Sequence, residues 1–99
     1  MVYEIIWTLK AAGKQFESIV TYLRTEWTER IAENFTKDAH DKIDLLALMP
    51  FIGRASENDS SVRRILITRQ ISLLYSVQEP IIFLLGFSDN RQDPAQNPF

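Results

Sequence analysis

The sequence predicts an α+β protein in which a helix hairpin packs on one face of an antiparallel sheet. Three runs rich in β-branched and aromatic residues follow one another between residues 63 and 94, and the breaks between them are short enough for hairpin loops. Two segments ahead of them carry apolar residues at steps of three and four, as amphipathic helices do. The predicted order is an N-terminal strand, an antiparallel helix hairpin and a three-stranded antiparallel meander.

The first strand is predicted at Tyr3–Trp7, where apolar residues alternate with Glu4. Thr8 follows at a position suited to a helix N-cap, so we expect one helix to begin there. Gly13 weakens this helix slightly without ending it. Its apolar stripe consists of Leu9, Ala12, Phe16, Ile19, Val20 and Leu23.

The second helix is predicted to begin after Thr28, a second N-cap, and to end before Pro50, with Gly53 in the following turn. Oppositely charged residues four apart on its other face indicate a solvated surface. Trp7 and Trp27 flank the helices and are expected in the core. The apolar stripe of the second helix consists of Ile31, Phe35, Ala39, Ile43 and Leu46.

The strand runs are Arg63–Thr68, Ile71–Val77 and Ile81–Phe87. Residues 54–61 are polar and are predicted as a loop, and the proline-containing tail 93–99 is expected to fray or to lie extended along the sheet. Alternation leaves open which sheet face is the core, because the third run is apolar on both faces. The faces of the middle strand are expected to carry Ser72, Leu74 and Ser76 on one side and Tyr75 on the other.

Length and composition fit one domain spanning residues 1–99, with 45% apolar residues and a net charge of −2. The chain contains no cysteine, which removes disulfides and thiolate metal sites. No metal and no cofactor are expected. The N-terminus lacks the basic region of a signal peptide, and the longest apolar run is too short to cross a bilayer. We therefore expect a soluble cytoplasmic protein without membrane contact.

Charge is uneven although the net charge is small. Arg63, Arg64 and Arg69 lie in the strand region and Arg91 lies just beyond it, whereas every lysine lies at or before Lys42. Arginine suits bidentate recognition of phosphate or carboxylate. A meander is expected to bring distant arginines towards a common region of the sheet.

Six segments, in order along nearly the whole chain, together resemble the RelE/ParE family of toxins from bacterial type II toxin–antitoxin, or plasmid stabilisation, systems. The resemblance implies a small growth-inhibiting toxin with a cognate antitoxin protein as its partner in a toxin–antitoxin hetero-oligomer. It also implies a target, which is DNA gyrase for ParE-like members and the ribosome for RelE-like members that cleave mRNA. The segments are Tyr3–Thr8, Ile19–Trp27, Leu48–Arg54, Val62–Ile67, Leu74–Val77 and Asp89–Pro94.

The residues favour the ParE-like branch. Cleavage through the ribose 2′-OH needs groups that accept and donate protons, besides cations at the phosphate. The only histidine, His40, lies on the charged face of the second helix, where a surface role is expected. Ser72 stands where ribonucleolytic relatives carry an arginine, and the chain beyond Arg91 has no counterpart of their C-terminal tyrosine or histidine. We therefore expect a protein that is not an enzyme; the alternative is an mRNA endoribonuclease.

No catalytic residue is assigned, and the candidates for target or phosphate binding are Arg63, Arg91, Tyr75 and Asn90. Two of them have a structural alternative: Tyr75 suits a core tyrosine with a satisfied hydroxyl, and Arg91 suits a pair with a neighbouring aspartate. Arg63 and Arg64 are expected on opposite faces, and the family pattern favours Arg63. A third reading is a non-toxic remnant that still binds its antitoxin.

Overall fold

The computed structural model describes residues 2–89 and confirms the predicted fold class. Five strands form one sheet in the order β1-β5-β4-β3-β2. The predictions made for the tail, Asn90 and Arg91 fall outside the described residues. The strands are β1 Glu4–Trp7, β2 Arg54–Ala55, β3 Val62–Leu66, β4 Ile71–Gln78 and β5 Ile81–Asp89, and the helices are a π-helix at Lys10–Phe16, α1 at Glu17–Glu26 and α2 at Glu29–Leu48.

The meander is confirmed: β3 pairs antiparallel with β4, and β4 pairs antiparallel with β5. β1 pairs parallel with β5 and forms one edge of the sheet. The prediction of a loop over residues 54–61 is wrong at its start, because Arg54–Ala55 forms the short strand β2. Polar residues were sufficient for a strand here because β2 is an exposed edge that only needs to pair with the backbone of β3.

The first helical segment starts directly after Thr8, as predicted, but runs as a π-helix before α1. The hydroxyl of Thr8 donates to the carbonyl of Leu84 at 2.7 Å, and its N–H donates to the same carbonyl at 3.1 Å. At the other end of the π-helix, Gln15 Oε1 accepts from the N–H of Phe87 at 2.7 Å. The edge of β5 thus binds this segment at both ends, and Leu9, expected on the buried stripe, is exposed.

The second helix follows the prediction closely. Thr28 is the N-cap of α2, and its hydroxyl accepts from the N–H of Ile31 at 3.1 Å. The helix ends at Leu48, just before Pro50. Its buried stripe begins at Ala32 and not at Ile31, which is partly exposed at the outer end of the hairpin.

The core lies between the helices and one face of the sheet. Leu73 and Tyr75 belong to this core, so the helix-facing side of β4 is now assigned. Trp7 packs against this core, as predicted. The prediction that Trp27 lies in the core is wrong: Trp27 is 63% exposed, because it follows α1 at the junction between the two helices. Within residues 2–89, no helix is long and apolar enough to cross a membrane. The core also contains Phe35, Ala39, Ile43, Leu46, Ile67, Ile82, Leu84 and Phe87.

Candidate functional site

The two arginines at the start of β3 lie on opposite faces of the sheet, as predicted. Arg63 is level with Tyr75 of β4, and Arg64 is level with Leu74. Because successive side chains of a strand alternate between faces, Arg63 lies on the face that carries the helices. The hydrogen bonds of the two side chains agree with this assignment, since they end on different parts of the chain.

Tyr75 holds the turn that follows α2. Its side chain is fully buried, its hydroxyl donates to the carbonyl of Pro50 at 2.9 Å, and the same oxygen accepts from the N–H of Gly53 at 2.9 Å. Burial raises the pKa of the Tyr75 phenol, although the N–H of Gly53 and the charge of Arg63 act in the opposite direction. The phenol therefore stays protonated at neutral pH and serves as a structural hydrogen-bonding group.

Arg63 contacts the same turn from the side. Its Nη1 donates to the carbonyl of Gly53 at 2.6 Å and to that of Phe51 at 3.3 Å, and its Cζ lies 5.0 Å from the centre of the Phe51 ring. Two of the four candidates, Arg63 and Tyr75, thus converge on one segment, Met49–Gly53, which we call the anchored turn. Both bind its backbone atoms.

Gly53 is the residue that permits this close contact. A Cβ atom built at Gly53 would overlap the hydroxyl of Tyr75 and would lie 2.8 Å from its Cε1 and 2.9 Å from the carbonyl oxygen of Arg64. Both the tyrosine ring and the β3 backbone are fixed in the sheet, so neither can move away cheaply. Gly53, which was predicted to lie in a turn, is needed here because the Tyr75 side chain approaches its backbone closely.

The other two candidates, Asn90 and Arg91, lie outside the described residues. The described chain ends at Asp89, which is level with Ile71 at the start of β4, whereas Arg63 is level with Tyr75, four residues further along β4. At about 3.3 Å per residue, Asp89 and Arg63 are roughly 13 Å apart along the strand direction. Arg63 and Tyr75 are therefore together, and no described contact joins them to the end of β5.

The outer face of the sheet carries a second polar group. Arg64 Nε donates to the hydroxyl of Ser72 at 3.3 Å, and Ser72, Ser76 and Ser88 are all buried. Ser72 stands at the position where the family resemblance implies an arginine in ribonucleolytic members. Here the guanidinium of Arg64 on the neighbouring strand contacts Ser72. Arg64 was not among the predicted site residues, because the family pattern favoured Arg63. Its contact with Ser72 depends on the register of β3 against β4.

His40 is exposed on α2, as predicted. Its ring lies 6.3 Å from that of Trp7 and 6.1 Å from that of Phe16, between ring centres. His40 is not among the described contacts of Arg63, which belong to the anchored turn. Among residues 2–89, no group of histidine, aspartate and glutamate side chains is arranged to hold a metal ion.

Two apolar surfaces were not predicted from the sequence. The anchored turn exposes apolar side chains, described below. A groove of about 660 Å³ runs between α1 and the ends of β4 and β5. Its apolar lining includes Ile19, Tyr22, Leu23, Trp27, Ile31, Ile71 and Phe87.

This sheet order, with a helix hairpin on one face, defines a fold of the RelE/ParE type. It is similar to the structure described as the chromosomal ParDE TA system from P. aeruginosa, with a TM-score of 0.74 and 22% identity over 89% of this chain and 96% of that chain. The sequence also matches, over residues 5–94, the family described as ParE toxin of type II toxin–antitoxin system, parDE. The chain belongs to the ParE toxin family. No curated protein gave a significant match.

Proposed function

We propose that this toxin inhibits growth by binding its target, DNA gyrase, and not by cutting RNA. The observation that carries the proposal is the use of Arg63 and Tyr75: both side chains are engaged by the backbone of the anchored turn. In the cell the toxin acts in the cytoplasm, as part of a plasmid stabilisation system, and forms a hetero-oligomer with a cognate antitoxin protein. The residues proposed for target binding are Arg63, Arg91, Tyr75 and Asn90, of which the first and third act by shaping the turn.

The chemistry of RNA cleavage explains why this observation matters. A 2′-OH nucleophile needs a proton acceptor, and the leaving oxygen needs a donor. Beside Arg63, the described residue with a transferable proton is Tyr75, whose hydroxyl is buried and whose pKa is raised by burial. Since its hydrogen bonds go to Pro50 and Gly53, a phosphate would have to displace the turn to reach it.

One observation favours a second candidate function, a ribosome-dependent mRNA endoribonuclease. Arg64 and Ser72 place a guanidinium beside hydroxyl groups on the outer face of the sheet, and a guanidinium can stabilise charge on a phosphate. The Arg64 guanidinium alone does not complete an active site, because general acid–base catalysis contributes a large part of the rate of RNA cleavage.

The two functions are separated by inducing the toxin in bacterial cells. We expect DNA damage with gyrase-linked DNA cleavage, and unchanged mRNA ends in primer extension. Ribosome-dependent cuts in mRNA, without gyrase-linked cleavage, would establish the second candidate instead. Normal growth despite verified soluble expression would contradict both functions. The remaining interpretation would be a non-toxic remnant that still binds its antitoxin.

A single substitution tests the proposed role of Arg91. Arg91→Ala is expected to abolish growth inhibition without changing the circular dichroism spectrum or the melting temperature, because it removes a cation that suits anion recognition. Arg30→Ala, at an exposed position of α2, is the control and should leave inhibition intact. A folded Arg91→Ala protein with full toxicity would show that Arg91 has no role in target binding.

A further inference from the structure

The anchored turn and the last residue of α2 expose apolar side chains that a folded protein normally covers. Leu48, Met49, Phe51 and Ile52 are 64%, 52%, 53% and 46% exposed, respectively. Single exposed apolar residues are common, but neighbouring ones of this size mark interaction surfaces. Four of them lie here within five consecutive residues.

These side chains are held on a rigid backbone. The N–H of Ile52 donates to the carbonyl of Met49 at 3.2 Å, which closes a turn with Pro50 at its second position. Tyr75 binds the next carbonyl, and Arg63 binds the carbonyls of Phe51 and Gly53. Because these contacts fix the backbone of the turn, less conformational freedom is lost when its side chains bind a partner.

The charge beside this surface is positive. Arg54 follows the turn directly and is exposed, and the guanidinium of Arg63 lies over the Phe51 ring. The ion pairs within residues 2–89 are Arg24–Glu29 and Lys37–Asp41, so neither Arg54 nor Arg63 is neutralised by a described acidic side chain.

The acidic residues nearest in the sequence are Asp44, exposed on α2 one turn before Leu48, and Glu57 and Asp59, which belong to the loop at the far end of the β2–β3 hairpin. Asp59 accepts hydrogen bonds from Ser61. Two copies of the chain that met through this surface would bring arginines together, which costs free energy. The surface fits a partner with an apolar pocket bordered by carboxylates.

We infer that the toxin inserts the anchored turn into an apolar, carboxylate-bordered pocket of its target protein. Phe51 supplies the central contact, and Arg54 pairs with the border. Aromatic residues, methionine and arginine are enriched in protein interfaces relative to the rest of the surface, and all three occur here. The inference rests on the proposed function, in which the toxin acts by binding.

Matched pairs of variants test it. Phe51→Gln removes the central apolar contact, and Leu9→Gln removes an exposed apolar side chain from another surface. Arg54→Glu reverses the border charge, and Arg30→Glu reverses an exposed charge on α2. The full-length chain is assayed for growth inhibition in cells at matched soluble expression, and for inhibition of supercoiling by purified DNA gyrase, with thermal melts to verify folding.

We expect Phe51→Gln and Arg54→Glu each to require about tenfold more toxin or more for equal inhibition, as hot-spot changes do, and the controls to stay within about twofold of the wild type. Equal activity of the wild type, Phe51→Gln and Arg54→Glu would overturn the inference and leave the proposed function standing. If Phe51→Gln does not fold, Arg54→Glu alone decides.

Absence of growth inhibition by the wild type would overturn the proposed function and the inference with it. Growth inhibition without an effect on gyrase would overturn only the choice of target, and the growth assay of the same variants would still decide whether the anchored turn is used. The two failures are therefore distinguishable.

Discussion

Replacing Tyr75 with phenylalanine tests whether one buried hydroxyl holds the anchored turn. The substitution keeps the ring in the core and removes only the oxygen that donates to the carbonyl of Pro50 and accepts from the N–H of Gly53, each at 2.9 Å. Both backbone residues are buried. Water therefore does not readily replace the lost partner.

The expected loss follows from these two contacts. Leaving a buried donor or acceptor unsatisfied costs about 1–3 kcal/mol, so Tyr75→Phe should lower the free energy of unfolding by about 2–4 kcal/mol. For a chain of this length that corresponds to a fall in melting temperature on the order of 10 to 20 °C. It is a large part of the roughly 5–15 kcal/mol that stabilises a typical domain.

Urea and thermal unfolding followed by circular dichroism measure this loss. Tyr22→Phe is the matched control, since Tyr22 is 54% exposed and the structure records no hydrogen bond from its hydroxyl to a described residue; it should change stability by less than about 0.5 kcal/mol. If Tyr75→Phe were as stable as Tyr22→Phe, the hydroxyl would not hold the turn.

Three further predictions concern other parts of the fold. Gly53→Ala should destabilise the protein by about 1–3 kcal/mol or more, measured by urea unfolding, and more than Gly86→Ala, whose Cβ would displace the Gln15 amide and its hydrogen bond to Phe87 but would meet no backbone atom or ring; equal losses would contradict this. Thr28→Ala should cost about 1 kcal/mol in the same assay, because the N-cap hydroxyl of α2 is lost, and an unchanged midpoint would show that the cap contributes nothing. Hydrogen bonds from Ser61 lower the pKa of Asp59, so the stability that they add is present at neutral pH and is lost as pH falls through the lowered pKa. An NMR titration of Ser61→Ala should place the Asp59 pKa closer to its ordinary value than in the wild type, and an identical titration curve would refute the assignment.

The elements that sequence analysis predicted best are those whose signals are local. The Thr28 cap, the end of α2 before Pro50 and the three strands of the meander all follow from short-range patterns of capping, proline geometry and β-branched residues. The resemblance to a toxin family rested on six such segments and was confirmed by the family match. Local chemistry was sufficient for the fold class.

The errors arose where a distant part of the chain decides the local structure. Arg54–Ala55 has no strand signal and pairs only because β3 offers a free edge. Trp27 has a core composition but lies at an exposed junction between the helices. None of these contacts can be inferred from neighbouring residues.

The candidate site was predicted in part for the same reason. Alternation along a strand was enough to separate Arg63 from Arg64, and the alternative reading of Tyr75 as a core tyrosine with a satisfied hydroxyl agrees with its two backbone hydrogen bonds. Their convergence on the anchored turn could not be predicted, because it depends on the path of the chain between α2 and β2. Arg91 and Asn90 remain predictions.

The central claim is that this toxin binds its target and does not cut RNA. The most direct test incubates the purified full-length chain with ribosomes engaged on a defined mRNA and, in parallel, with DNA gyrase and plasmid DNA. We expect intact mRNA and toxin-dependent inhibition of gyrase with trapped DNA cleavage. Ribosome-dependent cuts in the mRNA together with unaffected gyrase would contradict the claim.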